Sequence, residues 1–229
     1  MRAPRRPPAR PPARPNHNSA FCWLSAILVS AFIWYVLFHL TGASGLYGLI
    51  VPISVAVQEY ARYLLYATYM KAENAIKAVA TPTATLPLHD LSSAIAAGVG
   101  FGTMQGVIMF GSVLAASTGP SVLFTPACPH VPLVLLSAGT SLCVTTLHVV
   151  LMVAAFRAYR LKDRAAIGGI GAAHLAASAI TVLNTTADGC RASLPLLVLL
   201  VGAATAALVL AIRRGLFTVE QRRAHGQAH

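Results

Sequence analysis

Charge is what this sequence has least of. Only 10% of its 229 residues are Asp, Glu, Lys or Arg, and just six are acidic. Soluble domains carry about 25% charged residues. With 56% hydrophobic residues and a mean hydropathy of +0.68, the composition points instead to an integral membrane protein. Cysteine is scarce as well. Four scattered Cys, with no C-x-x-C and no Cys/His cluster, exclude a disulfide framework and a zinc site. Catalytic inventories are also missing. An intramembrane aspartyl protease needs paired Asp within its helices, whereas Asp90, Asp163 and Asp188 fall at loops or span ends. There is no G-x-S-x-G, no H-E-x-x-H and no phosphate-binding G-x-x-x-x-G-K-[ST]. No residue pattern calls for a catalytic site, a metal or another cofactor.

What is present is a set of long apolar runs. Six spans are predicted, at about 20–41, 46–70, 91–116, 131–156, 165–186 and 193–212, which makes an all-α, polytopic membrane helix bundle. A net charge of +11 would ordinarily suggest a nucleic-acid partner, but the charges sit at the ends of these runs, where they set topology. Fifteen of the seventeen Lys and Arg fall on one side of such a bundle, in both tails and in the loops carrying Lys71 and Lys77 and Arg157, Arg160, Lys162 and Arg164. Arg191 falls on the other side and Arg62 within a span. The positive-inside rule therefore places both termini in the cytosol. Residues 1–19, rich in Arg and Pro with almost no apolar side chains, read as a disordered tail. Residues 20–212 read as the transmembrane domain and 213–229 as a basic cytosolic tail. The 20–40 run is too long for a signal peptide and has no obvious cleavage site.

The 91–116 run holds no charge over 26 residues. Within it Gly98, Gly102 and Gly106 recur every four residues, with Gly100 and Gly111 nearby. Such a stripe lets another backbone approach closely, which matters in lipid because apolar burial cannot itself drive helices together. The short loops on the side opposite the basic one hold Cys128 and Cys190. There a disulfide and two free thiols both fit the sequence. Asn184-Thr185-Thr186 matches a glycosylation sequon at the mouth of a helix, where a local hydrogen-bonding role is the expectation.

Ionisable side chains inside a membrane are costly and face protein or a water-filled cavity. The second span carries Gln58, Glu59 and Arg62, and the i, i+3 spacing of Glu59 and Arg62 lets them pair on one face. His148 lies nine residues before Arg157, and His174 ten residues after Arg164. At 1.5 Å per residue both stand about 13–15 Å in from the same boundary, on antiparallel neighbours. Each heads a polar stripe: Ser137, Ser141 and Thr145 with His148, and Ser178 and Thr181 with His174. Two buried neutral imidazoles satisfied by hydroxyls and carbonyls, a proton or metal path through a transporter, and catalysis are the three readings of this layer. The first is preferred. In the transporter alternative, Glu59, His148 and His174 would carry protons or cations.

The order of these features resembles one family. Ser54–Tyr63 (SVAVQEYARY), the Gly98/Gly102/Gly106 helix followed by Gly119-Pro120, Leu147-His148, and Gly171–Asn184 (GAAHLAASAITVLN) are similar to the anterior-pharynx-defective (Aph) family, the scaffold subunits of gamma-secretase. The likeness covers roughly residues 21–212, and the Trp23–Thr41 run, with Trp34–Thr41 (WYVLFHLT), resembles the family's second helix. The resemblance implies a non-catalytic subunit in endoplasmic reticulum, Golgi and plasma membranes, assembling with presenilin, nicastrin and presenilin enhancer. Its role would be the processing of membrane proteins, as in Notch signalling. It also implies an assembly role for Gly98, Gly102 and Gly106 and presenilin contacts for His148 and His174. Family members have seven helices. The Arg/Pro tail stands where the first would be, so this chain is expected to lack it.

Overall fold

A computed structural model describes residues 16–42, 47–79, 90–116 and 123–213. They form six α-helices: α1 (Asn16–Thr41), α2 (Tyr47–Val79), α3 (Asp90–Ala116), α4 (Leu133–Leu161), α5 (Arg164–Val182) and α6 (Cys190–Arg213). A single 3-10 turn, Leu183–Thr185, leads out of α5. The prolines of the N-terminal segment end at Pro15, and α1 begins at the next residue, inside the stretch expected to be tail. Proline there suits a helix start, since the first backbone N–H groups have no intrahelical partner. The rest of both tails lies outside the described residues, as do Gly119 and Pro120.

Among the described residues, five helical stretches are long and apolar enough to cross a membrane: Asn18–Leu40, Leu91–Ala115, Leu133–Leu161, Arg164–Thr185 and Cys190–Arg213. The sixth helix, α2, has 33 residues and a length of about 50 Å. It falls short on composition, because Gln58, Glu59 and Arg62 interrupt its apolar run. Length is not what it lacks. Its polar face is answered by protein.

Helix α4 is the axis of the bundle, touching α2, α3, α5 and α6, while α1 lies across α2 and α3. The most extensive contact is between α3 and α4. Two apolar cores flank α4. One gathers Trp23, Ala61, Leu65, Ala97, Phe101, Met152 and Phe156 from α1 to α4. The other joins Leu147, Leu151 and Ala155 of α4 to Ile170 and Ala177 of α5 and Leu197 of α6. Small residues at the crossings let the backbones approach, so van der Waals packing replaces the hydrophobic drive that lipid removes.

The glycine stripe of α3 is what brings α3 against α4. A Cβ added to Gly98 would lie 2.8 Å from Val149 Cα, and one on Gly102 would lie 2.7 Å from the Thr145 carbonyl oxygen. At Gly106 the nearest atom would be the Thr145 hydroxyl, at 2.9 Å. Thr145 also donates to the Gly102 carbonyl at 3.0 Å. Gly111 has nothing within 4 Å of such a Cβ. The packing face predicted from the sequence is therefore occupied by the chain's own α4.

Opposite the basic end, the segment before α4 is pinned to the start of α6. Cys128 and Cys190 are joined by a disulfide with Cα atoms 5.6 Å apart. Two backbone bonds flank it: Cys190 N–H to Ala127 at 3.1 Å and Asp188 N–H to Pro126 at 3.1 Å. Asn184 accepts from Ser193 Oγ at 2.5 Å, tying the 3-10 turn to α6. A Cβ on Gly189 would overlap the Leu183 carbonyl, so this turn has room only for glycine.

Candidate functional site

The polar residues of α2 meet the histidines of α4 and α5 in one cluster. Glu59 and Arg62 are one turn apart on α2, and Arg62 Nη1 donates to Glu59 Oε1. The second guanidinium nitrogen, Nη2, lies 3.1 Å from Nδ1 of His148 on α4. The same Glu59 oxygen lies 2.6 Å from Nδ1 of His174 on α5. The two imidazoles stand nearly perpendicular, centroids 5.0 Å apart. Phe101 of α3 packs against the His148 ring at 5.2 Å and under the Arg62 guanidinium at 5.5 Å. Arg62 and His148 are fully enclosed and His174 is 4% exposed.

Donor and acceptor chemistry orders this cluster. A guanidinium only donates, so His148 Nδ1 accepts and its proton resides on Nε2. A carboxylate only accepts, so His174 Nδ1 donates to Glu59. The carboxylate thus bridges a cation on its own helix and an imidazole on the next. Glu59 balances the charge of Arg62. An unpaired charge here would be costly in a low-dielectric interior, and mutual pairing offsets that cost. The arrangement ties α2, α4 and α5 together, with the α3 aromatic ring as its lid. Both histidines are buried, but their polar partners are the Glu59–Arg62 pair rather than the hydroxyls and carbonyls expected from the sequence.

The flanking polar residues divide their roles. Gln58 is buried and its amide nitrogen lies 3.4 Å from Ser54 Oγ, while its Oε1 has no partner among the described residues. Thr145 crosses to α3, whereas Thr181 turns back to the Ser178 carbonyl of its own helix at 2.7 Å. Beyond the cluster, Glu73 near the end of α2 pairs with Arg160 of α4 at 2.7 Å, a contact not foreseen from the sequence. Among the described residues no group of three or more His, Cys, Asp or Glu is placed to hold a metal ion.

With this geometry in place, comparison with known proteins separates the readings. The family described as Aph-1 protein matches residues 17–214. The chain belongs to the Aph-1 family. Relatives similar to this member include "Gamma-secretase subunit APH1-like" of Arabidopsis thaliana, 30% identical over 80% of this chain and 74% of the relative. "Gamma-secretase subunit Aph-1" of Drosophila melanogaster is 33% identical over 72% and 67%, and "Gamma-secretase subunit Aph-1b" of Danio rerio 29% over 74% and 67%. None of these names describes a transporter, so the transport alternative has no support. The cluster agrees: Glu59, His148 and His174, its supposed ion carriers, are each engaged with another member of the tie. The matched region holds both the glycine stripe and the tie.

Proposed function

We propose that this Aph-1 member is a non-catalytic scaffold subunit of a gamma-secretase complex, assembling with presenilin, nicastrin and presenilin enhancer in secretory-pathway and plasma membranes. The observation that carries the reading is the family match over residues 17–214, which spans all six helices. The partners of four acidic side chains among the described residues support the non-catalytic part. Glu59 bridges Arg62 and His174, Glu73 pairs with Arg160, Asp163 caps α5, and Asp188 pairs with Arg191. An aspartyl dyad needs two carboxylates close enough to share a proton, and the partners of these four are cations, an imidazole and a backbone N–H. In this reading the polar tie and the glycine stripe serve assembly indirectly. They fix the relative placement of α2 to α5, and the partner subunits meet the outer surfaces so arranged. His148, being fully enclosed, acts as a positioning residue rather than a contact.

The test is complementation in cells whose own Aph-1 has been deleted. Expression of this chain is expected to restore release of the intracellular fragment of a gamma-secretase substrate. A stably expressed, correctly inserted chain that restores no cleavage would overturn the proposal.

A further inference from the structure

A second feature lies away from the polar tie, in the half of the bundle nearest the α4–α5 connection. A groove of about 260 Å³ opens there between α4, α5 and α6. Its walls are low: Ala166, Gly169 and Ala173 on α5 face Ala204, Ala207 and Ala211 on α6, and Arg157 of α4 also lines it. Along each helix these small residues fall three and four apart and so share one face. Cations crowd this end. Lys162 and Arg164 at the α4–α5 turn and Arg213 at the end of α6 are exposed. The turn's one carboxylate, Asp163, accepts the Ala166 N–H at 3.0 Å as the α5 cap. Arg157 thus lines the groove itself, and Lys162, Arg164 and Arg213 are exposed at the ends of the helices that wall it.

We propose that this groove holds a phospholipid with an anionic headgroup. One acyl chain lies along the α5 and α6 walls, and the headgroup phosphate meets Arg157 with Lys162, Arg164 and Arg213 around it. Charge complementarity selects this occupant. A zwitterionic lipid would offer the same phosphate, but its choline cation would be repelled by the surrounding Lys and Arg, and a free anion would meet the cations but leave the apolar walls unused. The distribution of Lys and Arg assigns this end to the cytosolic face, whose leaflet carries the anionic lipids. Arginine suits the contact because its planar fork can donate two parallel hydrogen bonds to a phosphate.

The experiment uses the full chain purified in an uncharged detergent and reads retained lipid by native mass spectrometry. Phosphatidylserine and phosphatidylcholine with identical acyl chains are compared, with glycerophosphoserine as the chainless headgroup. Phosphatidylserine should be retained on the order of tenfold better than phosphatidylcholine, since its extra negative charge lies among the Lys and Arg side chains. The headgroup alone should not bind. Ala207→Leu and, independently, Ala211→Leu should abolish retention by filling the groove. Arg157→Gln should weaken retention of both lipids about fivefold, because both carry the phosphate that it meets. Equal retention of the two lipids, retention of the headgroup alone, or undiminished phosphatidylserine in both monodisperse leucine variants would overturn the proposal.

Discussion

Arg62 is the residue on which the polar tie depends, because a guanidinium cannot shed its charge as a carboxyl or an imidazole can. Replacing it with Leu would leave the partly buried Glu59 and the enclosed His148 without their common donor. Breaking one side of a buried ion pair costs about 3–5 kcal/mol in water-soluble proteins. Membrane double-mutant cycles average nearer about 0.6 kcal/mol for a single polar interaction. Arg62→Leu is expected to lie between these figures and to show up as a lower unfolding midpoint in mild detergent. The double variant Glu59→Gln, Arg62→Met should lose less than the sum of its single changes, since it removes both charges together. Strict additivity would show that the two side chains do not act as a unit. His148→Ala should destabilise by about 1–2 kcal/mol, because it removes the acceptor that Arg62 uses. At the other end of the bundle, Cys128 and Cys190 should resist maleimide labelling until reduced, while Cys22 and Cys143, both free, are not protected in this way. Equal labelling of all four before reduction would contradict the disulfide.

At the scale of the element, α3 and α4 are held by close backbone approach, and the three glycines are not equivalent. A Cβ at Gly98 or Gly102 would stand within 2.8 Å of α4 backbone atoms, and a backbone cannot rotate out of the way. Gly106 faces only the Thr145 hydroxyl, a side-chain atom that can give way at the cost of its bond to the Gly102 carbonyl. Alanine at 98 or 102 should therefore lower folded yield sharply. At 106 the effect should be mild, and at 111 the gain in helix propensity should leave yield unchanged or improved. The measurement is the monodisperse fraction after solubilisation, and equal tolerance at all four positions would contradict the packing. Because α4 fills this face, loss of partner co-purification in Gly102→Leu would report on the fold of this chain and not on a direct partner contact. Much of this was legible beforehand. The four-residue repeat on an uncharged run revealed the packing stripe, and residue counts from the basic boundary placed His148 and His174 in one layer. The same count, extended to α2, puts Arg62 nine residues before Lys71 and so at the same depth. That signal would have joined the Glu59–Arg62 pair to the histidines. The pairing of Glu73 with Arg160 was not legible, because it depends on how far α2 runs beyond the apolar segment. Which helix fills the stripe was equally hidden, since periodicity defines a face but not its neighbour.

At the scale of the molecule, the bundle is tied at three heights: the disulfide and the Asn184–Ser193 bond at one end, the four-residue tie within, and Glu73–Arg160 toward the other end. Such a body is suited to holding other subunits in a fixed relation, and its membership in the Aph-1 family says which assembly that would be. The most direct measurement is affinity purification of the tagged chain in mild detergent, followed by mass spectrometry of the proteins retained. The account predicts stoichiometric recovery of a polytopic partner carrying two intramembrane aspartates, together with a large glycoprotein. Recovery of the chain alone, as a folded monomer or homo-oligomer, would contradict it.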